Sequence, residues 1–133
     1  MKVLALVYPG MTLLDLVGPL QAWSFLPGYD VQYAWHCSGP VPTDCGLSVQ
    51  ATNGFEDAWT DPDVLIVGGG AKPTLDLLGD SAVITFLADR GSRRSLGVQC
   101  MHWLPIARGC WTAARLPSCG ALGCTGSAEA VRR

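Results

Sequence analysis

The sequence predicts an α/β fold, namely the N-terminal half of a mainly parallel sheet flanked by helices, with an irregular C-terminal tail. Residues 2–7 and 63–67 are short and almost wholly apolar, which is typical of strands buried on both faces of a sheet. Helical stretches alternate with these strands, as they do in parallel sheets. The composition changes abruptly near residue 91, so the chain divides into a domain over 1–91 and a tail over 92–133.

The individual elements rest on local patterns in the first part of the chain. The strand at 2–7 ends at Tyr8-Pro9-Gly10, and a helix that carries Pro19 in its first turn is expected to continue to about residue 25. The later elements are a strand at 29–35, a loop at 39–42, an edge strand or hairpin arm at 47–51, a buried strand at 63–67, and helices at 73–78 and 81–90.

The overall composition excludes several classes of protein. The chain has 133 residues, 49% of them hydrophobic, so it can form one small packed domain or part of one and is not a wholly disordered chain. No apolar run reaches the roughly 18 residues of a membrane-spanning helix. The apolar run at 3–7 is too short for the core of a signal peptide. We therefore expect a cytoplasmic protein with no membrane partner.

The net charge of −2 conceals an asymmetry between the two parts of the chain. Residues 1–91 carry ten acidic and three basic residues, a net charge of −7. Residues 92–133 carry six arginines and one acidic residue, a net charge of +5. Because the arginines are scattered and form no run or face, we expect a solvated tail and no nucleic-acid partner.

Two segments follow buried strands and are therefore candidates for a functional site, because ligands of open α/β sheets bind beyond the carboxyl ends of the strands. One segment carries Asp15 and the other is the run Gly68-Gly69-Gly70-Ala71-Lys72-Pro73-Thr74. The glycine run is not a nucleotide-binding loop, because Ala71 precedes the lysine and Pro73 follows it. It is either a tight strand-to-helix turn or a set of backbone N–H groups that face a developing anion.

Asp15 also has two interpretations. An aspartate near the start of a helix commonly caps the free backbone N–H groups of the first turn. Alternatively, its carboxylate shares a proton with a nucleophile at the tip of the sheet. The residues alone favour the cap.

Four stretches of the first 91 residues together match one family pattern. They are Val7-Tyr8-Pro9-Gly10-Met11-Thr12-Leu13-Leu14-Asp15-Leu16-Val17-Gly18-Pro19; Tyr29-Asp30-Val31-Gln32-Tyr33 with the following hairpin; residues 63–74; and Phe86-Leu87-Ala88-Asp89-Arg90-Gly91. As a set they resemble the ThiJ/PfpI superfamily, whose flavodoxin-like fold is similar to that of class I glutamine amidotransferases, and in particular its isonitrile hydratases. Gly68 departs from the pattern, because the family usually has proline there.

The resemblance implies an enzyme that adds water to an isonitrile, giving an N-substituted formamide, through a cysteine nucleophile. It implies that Asp15 is catalytic, that the backbone at Gly69 and Gly70 shapes the substrate pocket, and that no metal or other cofactor takes part. The intact protein would act on a small molecule as a homodimer. The resemblance also leaves open a ligand-sensing domain of an AraC-type transcription regulator, or another hydrolase or glyoxalase-type enzyme of the family.

The family nucleophile lies in a Cys-Thr-Gly motif, expected roughly ten residues beyond Gly91, and no such motif lies there. However, the codons of Met101-His102-Trp103, read one nucleotide later, spell Cys, then Thr or Ile, then Gly. Residues 119–124 can likewise be reread as Ala-Ala-His-Trp-Ala, which resembles a later family segment. We therefore predict that 92–133 is an out-of-frame tail and that the chain as given is inactive. Without its neighbouring strand, the strand at 63–67 is expected to lie bare and to promote aggregation.

A zinc site in the tail is the alternative function for its cysteines. Structural zinc sites have close ligand pairs, with two to four residues between them. Successive tail cysteines are separated by nine, eight and four residues, and one histidine lies near the first. The residues concerned are Cys100, His102, Cys110, Cys119 and Cys124. We expect no metal site.

Overall fold

The structure is a computed structural model and describes residues 1–93 and 96–99. In chain order its elements are β1 (Lys2–Leu6), α1 (Leu13–Trp23), β2 (Asp30–Trp35), β3 (Gly39–Pro42), β4 (Ser48–Ala51), β5 (Asn53–Gly54), β6 (Val64–Val67), α2 (Lys72–Asp76) with a 3₁₀ turn (Leu77–Gly79), α3 (Ser81–Arg93) and β7 (Leu96–Gln99).

The main sheet has five strands in the order β5-β2-β1-β6-β7, and all of its neighbouring strands are parallel. The chain builds outward from β1 to β2 and β5, then returns to the other side of β1 with β6 and β7. The order therefore reverses between β1 and β6. In open parallel sheets such a reversal opens a crevice at the carboxyl ends of the two strands. The predicted α/β class with a parallel sheet is confirmed.

The two central strands form where the apolar runs predict them. Residues 3–6 and 64–67 are at most 3% exposed, because each strand has a neighbour on both sides and is covered on both faces. The register pairs Leu6 with Val67, so β1 and β6 end level with one another. The segments that follow them consequently leave the sheet side by side.

Helix α1 begins earlier than its sequence pattern predicts. It starts at Leu13, so Pro19 lies in its interior and not in its first turn. Leu16 and Leu20, four residues apart, face the sheet and are buried. The proline carries no backbone N–H and forgoes one helical hydrogen bond, which the burial of these two leucines offsets.

Residues 39–42, predicted as a loop, form strand β3, which pairs with β4 in an antiparallel hairpin. Val41 points inward and is 3% exposed, whereas Pro40 and Pro42 are exposed. Prolines are tolerated in such a short two-stranded edge, where they need not donate to a further strand. The hairpin arm predicted at 47–51 is confirmed, as is the hairpin that the family resemblance implied.

The sheet extends past the predicted boundary at residue 91. Helix α3 continues to Arg93, and β7 pairs with β6 along its whole length, from Val64–Leu96 to Val67–Gln99. The expectation that β6 lies bare is therefore wrong, and the edge position passes to β7. The rest of the predicted irregular tail, including all of its cysteines, lies outside the described residues. No helix among the described residues is long and apolar enough to cross a membrane.

Candidate functional site

The candidate site lies at the carboxyl ends of β1 and β6, where the strand order reverses. Residues 7–12 leave β1 and lead into α1, while residues 68–71 leave β6 and lead into α2. The two segments touch through their backbones: the Thr12 N–H donates to the Gly69 carbonyl oxygen at 2.7 Å. Both predicted site segments are thus brought together.

Asp15 lies in the first turn of α1, and its carboxylate faces the glycine segment. The Gly69 N–H donates to Asp15 Oδ2 at 3.0 Å. The N-cap position of α1 is Thr12 and not Asp15. A carboxylate from a second element takes the capping role instead, since the Leu13 N–H donates to Asp44 Oδ1 at 3.2 Å. Asp15 therefore bonds the glycine turn, and its role as a carboxylate that shares a proton with a nucleophile stays a prediction.

The glycine turn is tightly enclosed, which explains why it lacks side chains. All three glycines are buried. A Cβ at Gly70 would lie 3.1 Å from the Gly10 carbonyl oxygen and 3.1 Å from Met11 Cα, both backbone atoms. A Cβ at Gly68 would instead meet the flexible end of Met11, at 3.1 Å from Cε. Close backbone approach therefore requires glycine most strongly at position 70.

The turn also serves as the strand-to-helix connection that the simpler interpretation predicted. Ala71 joins it to α2 with a φ of 47°, the one positive value of a non-glycine residue in the described part of the chain. Such a conformation is costly for a residue with a Cβ. The Gly69 N–H donates to the Asp15 carboxylate, so the other interpretation, backbone N–H groups that face a developing anion, stays a prediction.

Tyr8 is a site residue that sequence reasoning missed. Its side chain is fully buried at the end of β1, and its hydroxyl donates to the Gly68 carbonyl oxygen at 2.7 Å. Thr74 Oγ1 lies 2.7 Å from the same hydroxyl. Burial raises the pKa of Tyr8 to about 12; the Thr74 hydrogen bond opposes the rise and the negative charge of Asp15 adds to it. The sequence signal for Tyr8 is its position after a buried apolar strand, because a buried tyrosine hydroxyl usually has a hydrogen-bond partner.

The β3–β4 hairpin closes one side of the site. The Gly10 N–H donates to the Pro42 carbonyl oxygen at 2.9 Å, and the Asp44 N–H donates to the Met11 carbonyl oxygen at 3.0 Å. These bonds fix the loop between β1 and α1 from outside. They satisfy one N–H and one carbonyl oxygen of a loop that is partly buried.

Two cysteines lie among the described residues, and both are exposed. Cys45 follows β3, and the pKa of its thiol is lowered, chiefly by a hydrogen bond with the Thr43 hydroxyl at 3.4 Å. It lines a cavity of about 340 Å³ whose other residues are Thr12, Leu13, Leu14, Val17 and Asp44. Neither Asp15 nor the glycine turn lines this cavity, so Cys45 does not take the place of the family nucleophile.

A second concavity lies at the carboxyl ends of β2 and β5, against α3. It has a volume of about 730 Å³ and is open to solvent. His36 bonds Asp80 across this edge, with Nε2 2.7 Å from Oδ2. Cys37, Glu56, Asp57, Asp89 and Arg90 are among the lining residues. Within the described residues, no group of three or more potential ligands could hold a metal ion.

Comparison with known proteins finds relatives for a segment of this chain. No family model matches it. It is 32% identical over 88 residues to an isonitrile hydratase from Pseudomonas putida, covering 66% of this chain and 38% of that protein. The crystal structure of a ThiJ/PfpI family protein from Pseudomonas syringae has a TM-score of 0.71 and 36% identity, covering 74% of this chain and 40% of that one. A DJ-1 superfamily protein from Salmonella typhimurium has a TM-score of 0.63 at 23% identity, covering 74% and 54%, and supports the fold alone.

The fold and the position of the candidate site define a class of protein. It is a flavodoxin-like α/β domain that has a carboxylate and a glycine turn where the strand order reverses. The relatives then support a family for the matched segment. That segment is similar to an isonitrile hydratase and to a ThiJ/PfpI family protein, which supports a ThiJ/PfpI-family assignment over the segment. It spans 38% of the isonitrile hydratase and 40% of the Pseudomonas syringae protein, less than half of either.

Proposed function

We propose that this chain is the N-terminal part, residues 1–91, of an enzyme that hydrates isonitriles, followed by an out-of-frame tail over 92–133. The observation that carries the proposal is the Asp15 carboxylate held by the Gly69 N–H, within a segment 32% identical to an isonitrile hydratase. This arrangement leaves a carboxylate beside the crevice where a nucleophile on the neighbouring strand would act.

The proposed reaction converts R–NC and water into R–NH–CHO. A cysteine thiolate attacks the terminal carbon of the isonitrile, forming a carbon–sulfur bond, and that carbon takes up a proton to give a thioimidate. Water then adds to the same carbon, the carbon–sulfur bond breaks, and the thiolate leaves as the nitrogen is protonated. Asp15 holds and relays the protons that move between thiol, carbon and water. The backbone at Gly69 and Gly70 shapes the pocket, Gly69 by orienting the Asp15 carboxylate. No cofactor is required.

The strand register supports a nucleophile supplied by the shifted reading frame. Gln99 ends β7 and pairs with Val67, which ends β6. The shifted codons place a cysteine two residues after Gln99, just as Gly69 comes two residues after Val67. Because the carboxyl ends of parallel neighbours meet at one edge, this cysteine would lie level with Gly69 and hence beside Asp15. The chain as given has Met101 at that position and is expected to be inactive.

The remaining features of the proposal describe the intact protein. It would be a cytoplasmic homodimer that acts on a small-molecule isonitrile, with no nucleic-acid or membrane partner. The exposed apolar side chains of α1, Leu14 at 74% and Val17 at 46% exposure, support a partner surface of this kind.

The first test is to resequence the gene from independent DNA across the codons for Arg90 to Trp103 and for several hundred bases beyond. We expect a reading frame that continues after the shift into Cys-Thr-Gly and a later His-Trp segment. A downstream sequence without an open shifted frame contradicts the proposal. A helix-turn-helix region after the domain in that frame would favour the AraC-type regulator instead.

The second test is an assay of the frame-restored protein for formamide production from an isonitrile. Activity should disappear when the restored cysteine is changed to serine and fall at least about 100-fold in Asp15→Asn, as expected on loss of a proton-transfer group. Asp44→Asn, which alters the cap of α1 but not the site carboxylate, is the matched control and should retain most of the activity. Equal loss in both variants would indicate a structural role for Asp15.

A further inference from the structure

Tyr8 and Asp15 contact opposite ends of one peptide group. The peptide between Gly68 and Gly69 offers its carbonyl oxygen to the Tyr8 hydroxyl at 2.7 Å and its N–H to Asp15 Oδ2 at 3.0 Å. The two side chains come from the end of β1 and the first turn of α1, and the peptide comes from the turn after β6. One amide group therefore accepts a hydrogen bond from Tyr8 and donates one to Asp15.

The direction of each hydrogen bond follows from the count of protons. The single hydroxyl proton of Tyr8 is donated to the Gly68 carbonyl. The contact between Tyr8 and Thr74 Oγ1, at 2.7 Å, must then have the threonine hydroxyl as donor. The raised pKa of Tyr8, about 12, keeps its proton in place over the range in which proteins are stable. The chain of donors thus leads from Thr74 through Tyr8 and the peptide to Asp15.

We propose that Thr74 and Tyr8 are positioning residues that act on the Asp15 carboxylate through the Gly68–Gly69 peptide. A carbonyl that accepts a strong hydrogen bond polarises its amide and makes the N–H a better donor. Tyr8 therefore strengthens the bond that Gly69 gives to Asp15 and fixes the carboxylate where it meets the crevice. The relevance of this relay to catalysis rests on the function proposed above, whereas the relay itself does not.

The glycine run makes this peptide directly observable. Gly68-Gly69-Gly70 is the single run of adjacent glycines among the 16 in the sequence. Full-length protein made by cell-free synthesis with ¹³C-carbonyl and ¹⁵N glycine should therefore give two cross-peaks in an HNCO spectrum. One joins the Gly69 amide to the Gly68 carbonyl and the other joins the Gly70 amide to the Gly69 carbonyl. A Gly68→Ala variant removes the first and so assigns both.

In Tyr8→Phe we expect the Gly68 carbonyl carbon and the Gly69 amide proton to move upfield together. Thr74→Val should move both in the same direction by less, because it removes only the donor to Tyr8. The Gly70 cross-peak should move little, since the Gly69 carbonyl is held by the Thr12 N–H. Tyr29→Phe, which removes a hydroxyl at the start of β2, is the matched control and should move neither peak.

Asp15→Asn tests the far end of the relay. In that background, Tyr8→Phe should shift the Gly69 amide proton less than it does in the unaltered chain, because the acceptor has lost its charge. A Gly68 carbonyl that moves while the Gly69 amide proton does not would overturn the proposal, as would equal shifts in Tyr8→Phe and Tyr29→Phe. A relay that is present in a frame-restored protein without hydratase activity would refute the proposed function and leave this inference intact.

Discussion

The carboxyl edge of the sheet has two different regions, the ends of β1 and β6 and the ends of β2 and β5. At the first, two chain segments touch backbone to backbone, and a buried tyrosine and a carboxylate bond a glycine peptide. At the second, solvent-open side chains meet around the His36–Asp80 pair. The concavity of about 730 Å³ lies at the second, yet the side chains that bond the glycine peptide lie at the first.

This contrast follows from the topology. The strand order reverses between β1 and β6, whose ends lie level, and the two segments that follow them are in contact. The β2 edge has a two-residue neighbour, β5, and is covered from one side by α3. The larger open concavity and the predicted site residues therefore lie in different regions of this edge.

The largest loss of stability at the ends of β1 and β6 is expected from Gly70→Ala. The added Cβ would lie 3.1 Å from two backbone atoms that cannot rotate away, so the two loops must separate. We expect a loss of about 3 kcal/mol in the free energy of unfolding, at the upper end for overpacked sites, measured by urea denaturation. Gly79→Ala, where a Cβ meets nothing within 4 Å, is the control. Equal losses in both variants would show that the loops are not in close contact.

The packing of α3 at the ends of β2 and β5 can be tested through Arg90. Its guanidinium donates to the Phe55 and Ala58 carbonyl oxygens at 3.1 and 3.4 Å, pairs with Asp89, and lies over the Phe86 ring. Arg90→Ala should cost about 2 kcal/mol of unfolding free energy, because charged hydrogen bonds to buried acceptors are lost.

Arg90→Lys provides the comparison for that experiment. A lysine keeps the charge but cannot reach two carbonyls and a carboxylate with a planar fork. It should recover less than half of the loss. Full recovery by lysine would mean that the charge, and not the geometry of the guanidinium, holds α3 against β5.

A smaller, pH-dependent effect is expected at Asp80. Burial acts to raise the pKa of this carboxyl, but hydrogen bonds from the Val83 N–H and from His36, with the charge of His36, outweigh it and lower the pKa. A lowered folded-state pKa gives stability that is complete above the unfolded value, near 4, and is lost as the pH falls through the folded value. Asp80→Asn should therefore reduce stability at pH 7 by less than about 1 kcal/mol, as for exposed pairs.

The difference between Asp80→Asn and the unaltered chain should shrink as the pH falls below about 4, where the native carboxyl itself becomes neutral. Thermal unfolding at a series of pH values from 7 to 2 measures this. His36→Gln, which removes the partner and leaves the α3 cap, should show part of the same effect. A difference that is constant with pH would contradict the assignment.

The smallest effect concerns Cys45, beside the first site. Its thiol pKa is lowered by the Thr43 hydroxyl, so Thr43→Val should reduce the thiolate fraction and slow alkylation by iodoacetamide at pH 7. We expect a change of a few-fold, followed by mass spectrometry of the Cys45 peptide. The rate at Cys37 in the same sample serves as the internal control and should not change.

The sequence predicted those parts of the fold that depend on local pattern. Strands β1 and β6 were found because both of their faces are buried, which leaves a continuous apolar run. The start of α1 was misplaced because its cap, Asp44, comes from the hairpin 31 residues away. Strand β7 was not predicted, because its four residues contain a glycine and a glutamine and carry no alternation.

The same division holds at the site. Asp15 and the glycine turn stood out because each follows a buried strand, and their meeting could be expected from strand order. The hydrogen-bond partners of Tyr8 could not be predicted from the sequence, because Thr74 lies 66 residues further along the chain. A hydroxyl that is satisfied only by tertiary structure leaves no periodic trace in the sequence.

The span of these hydrogen bonds has a consequence for the order of folding. The Gly69–Asp15 bond closes a loop of 54 residues, and the Tyr8–Thr74 contact closes one of 66. Contacts of such sequence separation form only after much chain entropy has been lost, and they slow folding in proportion to contact order. We expect the site to consolidate after the folding transition state, so substitutions there should accelerate unfolding and barely change the rate of folding. On a ribosome, the Gly69–Asp15 bond cannot close until residue 69 has emerged, nor the Tyr8–Thr74 contact until residue 74 has.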